Sequence, residues 1–196
     1  MLIDWSRRVI QTKVVYYGPA MSGKTASIRA LFRRLDILSR LESIETSTGR
    51  TLFFDYGPIE IAHGEWVLQI HIWSATGQDY YVETRSTVLA GTDGIVFVAD
   101  SNPQLLEDNK RCWDELQTCF GSKLMGEIPV VFALNKRDIT PRIGPLEFLT
   151  ALHLDGGCTL LETIATEGVQ TLTVLLEVLR KILLGADLVQ PKQIGT

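Results

Sequence analysis

At 196 residues, with 45% hydrophobic and 21% charged residues, the chain fits one compact domain with a sizeable core, not a disordered or fibrous segment. A net charge of −4 argues against bulk attraction to nucleic acid or anionic lipid, and the pairs Arg7-Arg8 and Arg33-Arg34 read as solvated faces. Cys112, Cys119 and Cys158 lack metal-ligand spacing and read as reduced thiols, so a metal finger or a disulfide scaffold is not expected.

The chain opens Met1-Leu2-Ile3-Asp4-Trp5, without the apolar run of a signal peptide and without a glycine for myristoylation. The first strand is expected over Lys13–Tyr17, followed by a glycine-bearing loop and a helix whose apolar face is Ile28, Leu31, Phe32 and Leu35. Leu52–Ile61 and Val67–Trp73 read as two strands joined by a turn over Glu60–Trp66, an antiparallel hairpin at one sheet edge. Gly94–Ala99 and Pro129–Leu134 are nearly continuous in hydrophobicity, as central strands covered on both faces must be. Between them a helix carries Leu106, Trp113, Leu116 and Phe120, with Pro103 near its first turn and Asp100 as its expected cap. A last strand over Leu160–Ile164 and a last helix marked by Leu172, Leu175, Leu179 and Ile182 complete the pattern. That helix carries Glu177, Arg180 and Lys181, which argues against a membrane span. The alternation predicts an α/β fold with a mostly parallel six-stranded sheet, one antiparallel edge strand and helices on both faces. Residues 1–184 form the expected domain and 185–196 a loose tail, ending Ile194-Gly195-Thr196 with no cysteine for prenylation. A cytoplasmic protein without a lipid anchor or a nucleic-acid partner is the resulting expectation.

Gly18-Pro19-Ala20-Met21-Ser22-Gly23-Lys24-Thr25 matches GxxxxGK[ST], placed after a strand and before a helix as in a P-loop NTPase. Gly18 and Gly23 let the backbone curl so that the amides of Ala20, Met21, Ser22 and their neighbours converge on phosphate oxygens. The helix behind adds its N-terminal dipole. Lys24 can reach the outer phosphates, and the Thr25 hydroxyl is a natural Mg²⁺ ligand. With glycine at about 7% usage, a chance match in a chain this long is on the order of one in a hundred.

Asn135-Lys136-Arg137-Asp138 follows a central strand, at the end where open α/β sheets bind ligands. The Asp138 carboxylate can accept two hydrogen bonds from the guanine ring N–H and exocyclic amine, a donor pair that adenine lacks. A buried polar group left unpaired makes rejection of the wrong base strong. Lys136 can lay its aliphatic stem over the purine, Asn135 can tie this loop to the phosphate loop, and the Ala165 N–H can meet the guanine oxygen.

In this order the motifs resemble those of the Ras-like small GTPases over essentially the whole chain. The likeness is strongest to the prokaryotic MglA-type GTPases of cell polarity and gliding motility. It rests on Val15-Tyr16-Tyr17-Gly18-Pro19, on Thr48-Gly49-Arg50-Thr51-Leu52-Phe53-Phe54-Asp55 and on Asp93 through Ser101. The resemblance implies GTP/GDP and Mg²⁺ as ligands, with Thr51 sensing the γ-phosphate and metal and Gly77 giving it a backbone N–H. It also implies Gln78 orienting the attacking water, Arg50 acting as an arginine finger in the same chain, and regulatory and effector proteins, a roadblock-domain activator among them. Phe53, Phe54, Tyr80 and Tyr81 flank the switch loops. Ser74 stands where most Ras-like proteins place a metal-site aspartate, and Asp55 is the candidate substitute. Ala75-Thr76 replaces the family's Val-Pro. Ala20 replaces a phosphate-loop glycine, so slow or activator-dependent hydrolysis is expected.

Three readings follow from these residues: a hydrolysing GTPase switch, a GTP-binding scaffold with negligible hydrolysis, and an ATP-using P-loop enzyme, which Asp138 disfavours.

Overall fold

The computed structural model describes residues 1–45, 51–75, 87–155 and 157–185, with the side chains of 43–45, 51–54 and 75 excepted. The strands are β1 (Leu2–Asp4), β2 (Val9–Tyr17), β3 (Glu42–Glu45), β4 (Thr51–His63), β5 (Trp66–Ala75), β6 (Gly94–Asp100), β7 (Val130–Asn135) and β8 (Thr159–Glu162). The helices are α1 (Lys24–Arg34), α2 (Leu106–Phe120), α3 (Pro145–Ala151) and α4 (Thr171–Gly185), and residues 87–89 are also helical. All strands join one sheet in the order β3-β4-β5-β2-β6-β7-β8, with β1 paired antiparallel to the start of β2.

The parallel centre, β5-β2-β6-β7-β8, agrees with the expected α/β architecture. The strand count is corrected from six to eight, because β1 and β3 were not anticipated. Both are short and one reads Glu-Ser-Ile-Glu, so neither carries an apolar run. Consequently β4 is antiparallel to β5 but is not the edge; β3 lies outside it. The β4–β5 turn narrows to Gly64-Glu65, with His63 and Trp66 already paired.

Alternation along the central strands builds two cores. Phe97 and Phe132 point to one face, where Trp113 of α2 and Phe148 of α3 meet them with ring centroids 5.1–6.0 Å apart. Val96, Val98, Val131 and Ala133 point to the other, against Ile28, Leu31 and Phe32 of α1 and Val174, Leu175 and Val178 of α4. Fully burying side chains of this size is worth roughly 1.5–3 kcal/mol each. Both faces are therefore fastened, and the carboxyl ends of β2, β6 and β7 are held in a fixed row.

Helix α3 was not expected. Seven residues are too short for a periodic signal, although Pro145 at the first position and Glu147, whose carboxylate accepts from the Gly144 N–H, are start signals. Among the described residues no helix is long and apolar enough to cross a membrane.

Candidate functional site

The loop after β2 depends on backbone that only glycine supplies. Gly18 sits at φ +141°, and a β-carbon there would lie 2.2 Å from the Val98 carbonyl oxygen. Gly23 sits at φ +105°, and a β-carbon there would lie 2.1 Å from Asn135 Nδ2. The second glycine thus makes room for a neighbouring loop, a constraint beyond backbone freedom. Helix α1 starts at once, its first bond running from the Ser27 N–H to the Gly23 carbonyl at 2.8 Å. The amides of its first turn have no partner within the helix, as at any helix start.

Lys24 is buried, and its ammonium donates to the Gly18 and Pro19 carbonyls at 2.9 and 2.7 Å, curling back over the loop. Ala20 and Met21 are exposed at the loop's tip, so the Ala20 methyl stands on the open side. Ser22 is fully buried and its hydroxyl has no hydrogen-bond partner among the described residues.

A second corner forms where β4 passes the start of α1. The Thr25 hydroxyl donates to Asp55 Oδ2 at 2.7 Å, and the Asp55 side chain is fully buried. Asp55 stands directly opposite Ser74 in the β4–β5 pairing. The carboxylate absent from position 74 is thus present one strand over, on the residue paired with it. A hydroxyl that donates its proton to Asp55 turns its lone pairs outward. Together these are hard oxygen donors of the kind Mg²⁺ takes in combination with phosphate oxygens, so the corner fits that cation.

The third corner is the loop after β7. Asn135 is buried; its Nδ2 donates to the Ser22 carbonyl at 2.7 Å, while its Oδ1 accepts from the Ala165 N–H at 2.9 Å and the Thr163 hydroxyl at 3.1 Å. One amide joins three loops. The Ala165 N–H, expected to face a purine oxygen, is directed at Asn135 instead. Lys136 adopts a left-handed backbone, φ +63°, and its ammonium pairs with Asp100 Oδ2 at 2.6 Å. Arg137 forms an ion pair with Glu162 and its N–H donates to the Thr163 carbonyl at 3.2 Å. Asp138 is exposed, and among the described residues nothing engages its carboxylate.

Asp100 does not cap α2. Asn102 caps the short 3-10 turn Pro103–Leu105 that leads into α2, its side chain accepting from the Gln104 N–H at 3.0 Å, while α2 itself starts after Leu105 without a side-chain cap and Asp100 faces Lys136. Asn109 was missed altogether. It sits three residues after Leu106 and four before Trp113, a polar residue on an otherwise apolar stripe, which is the signal that marks it. Thr51 begins β4, paired with Glu45. Arg50, Gly77, Gln78, Tyr80, Tyr81 and the tail from 186 lie outside the described residues.

No family model matches the chain. A curated relative does: the mutual gliding-motility protein MglA of Myxococcus xanthus (strain DK1622) is 33% identical over 156 residues, covering 77% of this chain and 80% of that protein.

Proposed function

Because the chain belongs to the MglA-type small GTPases of the Ras-like superfamily, we propose that it is a molecular switch that binds Mg·GTP, hydrolyses it to GDP and phosphate, and changes its partner binding through the loops around Thr51 and Gln78. The observation that carries this reading is the bridge made by Asn135, which joins the phosphate loop to the loop bearing Asp138. A triphosphate grip and a base reader in one pocket are what a guanine nucleotide requires.

The amides of 18–25 and the first turn of α1 hold the phosphates. Lys24 meets charge on the outer ones. The Asp138 carboxylate accepts from the guanine ring N–H and amine, the Lys136 stem covers the purine, and Ala165 borders the base. Thr25 and Asp55 would hold Mg²⁺ on their oxygens, joined by Thr51. When bound, that cation would neutralise charge on the phosphate oxygens. Gln78 orients the attacking water, Gly77 gives its N–H to the γ-phosphate, and Arg50 reaches the same centre. An arginine finger is worth roughly 10³–10⁵ in rate.

Residues 1–184 are the GTPase domain and 185–196 a tail. We place the protein in the cytoplasm, with regulatory and effector proteins as partners and a roadblock-domain protein as activator. The relative's name supports a role in gliding motility.

Ala20, exposed at the tip of the loop in place of the family's glycine, favours a second reading, a GTP-loaded scaffold that hydrolyses negligibly because the added methyl crowds the approach to the γ-phosphate. Nucleotide released from the purified protein, identified by chromatography, is expected to be GDP or GTP; displacement of GTP by excess ATP would overturn the base assignment. Phosphate release is expected to fall in Gln78→Leu and Arg50→Ala. Equal rates in wild type and both variants would remove the catalytic roles, and a long-lived GTP complex would favour the scaffold.

A further inference from the structure

Lys136 keeps 34% of its side chain exposed, yet its ammonium is fastened to a carboxylate that is 0% exposed. Among the described residues Asp100 Oδ2 has this ion pair and no hydrogen bond, while the other carboxylate oxygen and the backbone of Asp100 are held by neighbours. Asp100 Oδ1 accepts from the Asn102 N–H at 2.9 Å. The buried Asn109 side chain from α2 clamps the Asp100 backbone, accepting from its N–H at 3.0 Å and donating to its carbonyl at 2.9 Å. The next residue, Ser101, donates its N–H to the Asn135 carbonyl at 3.0 Å, and Asp100 and Asn135 are paired in the β6–β7 register.

We propose that Asp100 is a positioning residue for guanine-nucleotide binding: it anchors the Lys136 ammonium so that the aliphatic stem is laid out as a platform for the purine before the nucleotide arrives, with Asn109 holding Asp100 in place. The inference rests on the guanine-nucleotide reading above and names a device within that site. A free lysine has many rotamers, most of which do not cover the base, and burial of the anion keeps the pair from being screened by salt. A lysine also takes the left-handed backbone of position 136 at a cost, which is tolerated where surrounding structure over-determines it. Asp138 reads the base by hydrogen bonds; Asp100 acts only through Lys136, so its loss weakens GDP and GTP alike and leaves the preference for guanine intact.

The test is the dissociation rate of mant-GDP from the full chain, measured by stopped flow for wild type, Asp100→Asn, Lys136→Met and the double variant. Asp100→Asn is expected to release mant-GDP about 10–100-fold faster, the order of magnitude of a charged contact with one buried partner. Single-turnover GTP hydrolysis by the loaded protein is expected to change by about twofold at most, far less than dissociation. In the Lys136→Met background the same Asp100→Asn change is expected to add about twofold or less, because the residue it acts through is gone. A wild-type rate in Asp100→Asn, or an equal acceleration in the Lys136→Met background, overturns the proposal, the latter by showing a role in the fold alone. Should Asp100→Asn fail to fold, nitrogen-15 spectra of the wild-type, GDP-loaded lysine ammonium groups decide. A slowly exchanging resonance absent from Lys136→Met supports the anchor, and none overturns it. Failure of wild type to retain mant-GDP at all would instead overturn the guanine reading, and this inference with it.

Discussion

The corner proposed for the metal and the corner proposed for the base are built on opposite plans. At the base corner Asn135, Lys136 and Arg137 are each tied to fixed partners on other elements, and Asp138 alone is left facing outward. At the metal corner the two oxygen donors, Thr25 and Asp55, are bonded to each other. The first arrangement fixes a rigid frame around one reading group. The second keeps two oxygen donors in register and turns hydroxyl lone pairs outward, as the proposed Mg²⁺ site requires. Specificity and metal dependence should therefore be separable by mutation, although both corners touch the same loop.

The largest break is expected at Asp138. Asp138→Ala removes the group proposed to pair with guanine's donors, and sites built on such pairing discriminate by about 10⁴–10⁵. Competition of ATP against labelled GTP should show the preference collapse while the Mg²⁺ requirement stays put. Asp55→Asn should do the reverse. The Mg²⁺ concentration needed to retain bound nucleotide is expected to rise about 10–100-fold, equivalent to roughly 1.5–3 kcal/mol for a hydrogen bond to a charged group. Guanine preference should survive. If Asp55→Asn leaves magnesium titrations unmoved, the carboxylate opposite Ser74 is a strand charge and the metal corner has been misread.

How much of this was legible beforehand follows from where each signal lives. Gly18 to Thr25 and Asn135 to Asp138 are contiguous, and their spacing encodes backbone shape, so both could be read directly. Phe97, Phe132 and Trp113 were legible through alternation and helical period. By contrast, the Asp100–Lys136 pair and the Asn109 clamp join residues distant in sequence, whose only trace is a polar side chain on an apolar stripe. Asp55 was a candidate only because the Ras-like resemblance expects an aspartate where Ser74 stands. That the two stand opposite each other needed the β4–β5 register, which no local pattern contains. Strands β1 and β3 were invisible because a three- or four-residue edge strand needs no hydrophobic run.

The two corners meet at Gly23, so Gly23→Ala tests whether they are mechanically joined. The backbone conformation alone should destabilise the fold by about 1–3 kcal/mol. The added methyl must also displace Asn135 Nδ2, which a β-carbon would approach to 2.1 Å. Denaturation should register the first effect, and loss of both GTP preference and Mg²⁺ dependence the second. Loss of only one would mean that Asn135 is not the link.

The smallest effect is the sharpest in sign. Tyr16 and Tyr17 are neighbours on β2 just before the phosphate loop and point to opposite faces of the sheet. The Tyr17 hydroxyl donates to Glu115 Oε2 at 2.7 Å, whereas the Tyr16 hydroxyl is buried with no hydrogen-bond partner among the described residues, and burial pushes its pKa upward. The same chemical change, Tyr to Phe, should act oppositely at the two positions. Tyr17→Phe breaks this part-buried bond and should lower stability by about 1 kcal/mol. Tyr16→Phe removes a hydroxyl that folding strips of water without repayment, and should raise stability by a similar amount. In a chain of this length each corresponds to a shift of about 2–4 °C in Tm, downward and upward respectively. Thermal denaturation of the two variants without nucleotide isolates the fold from the ligand. A destabilised Tyr16→Phe would mean that this hydroxyl has a partner, and that the strand leading into the loop is satisfied on both faces.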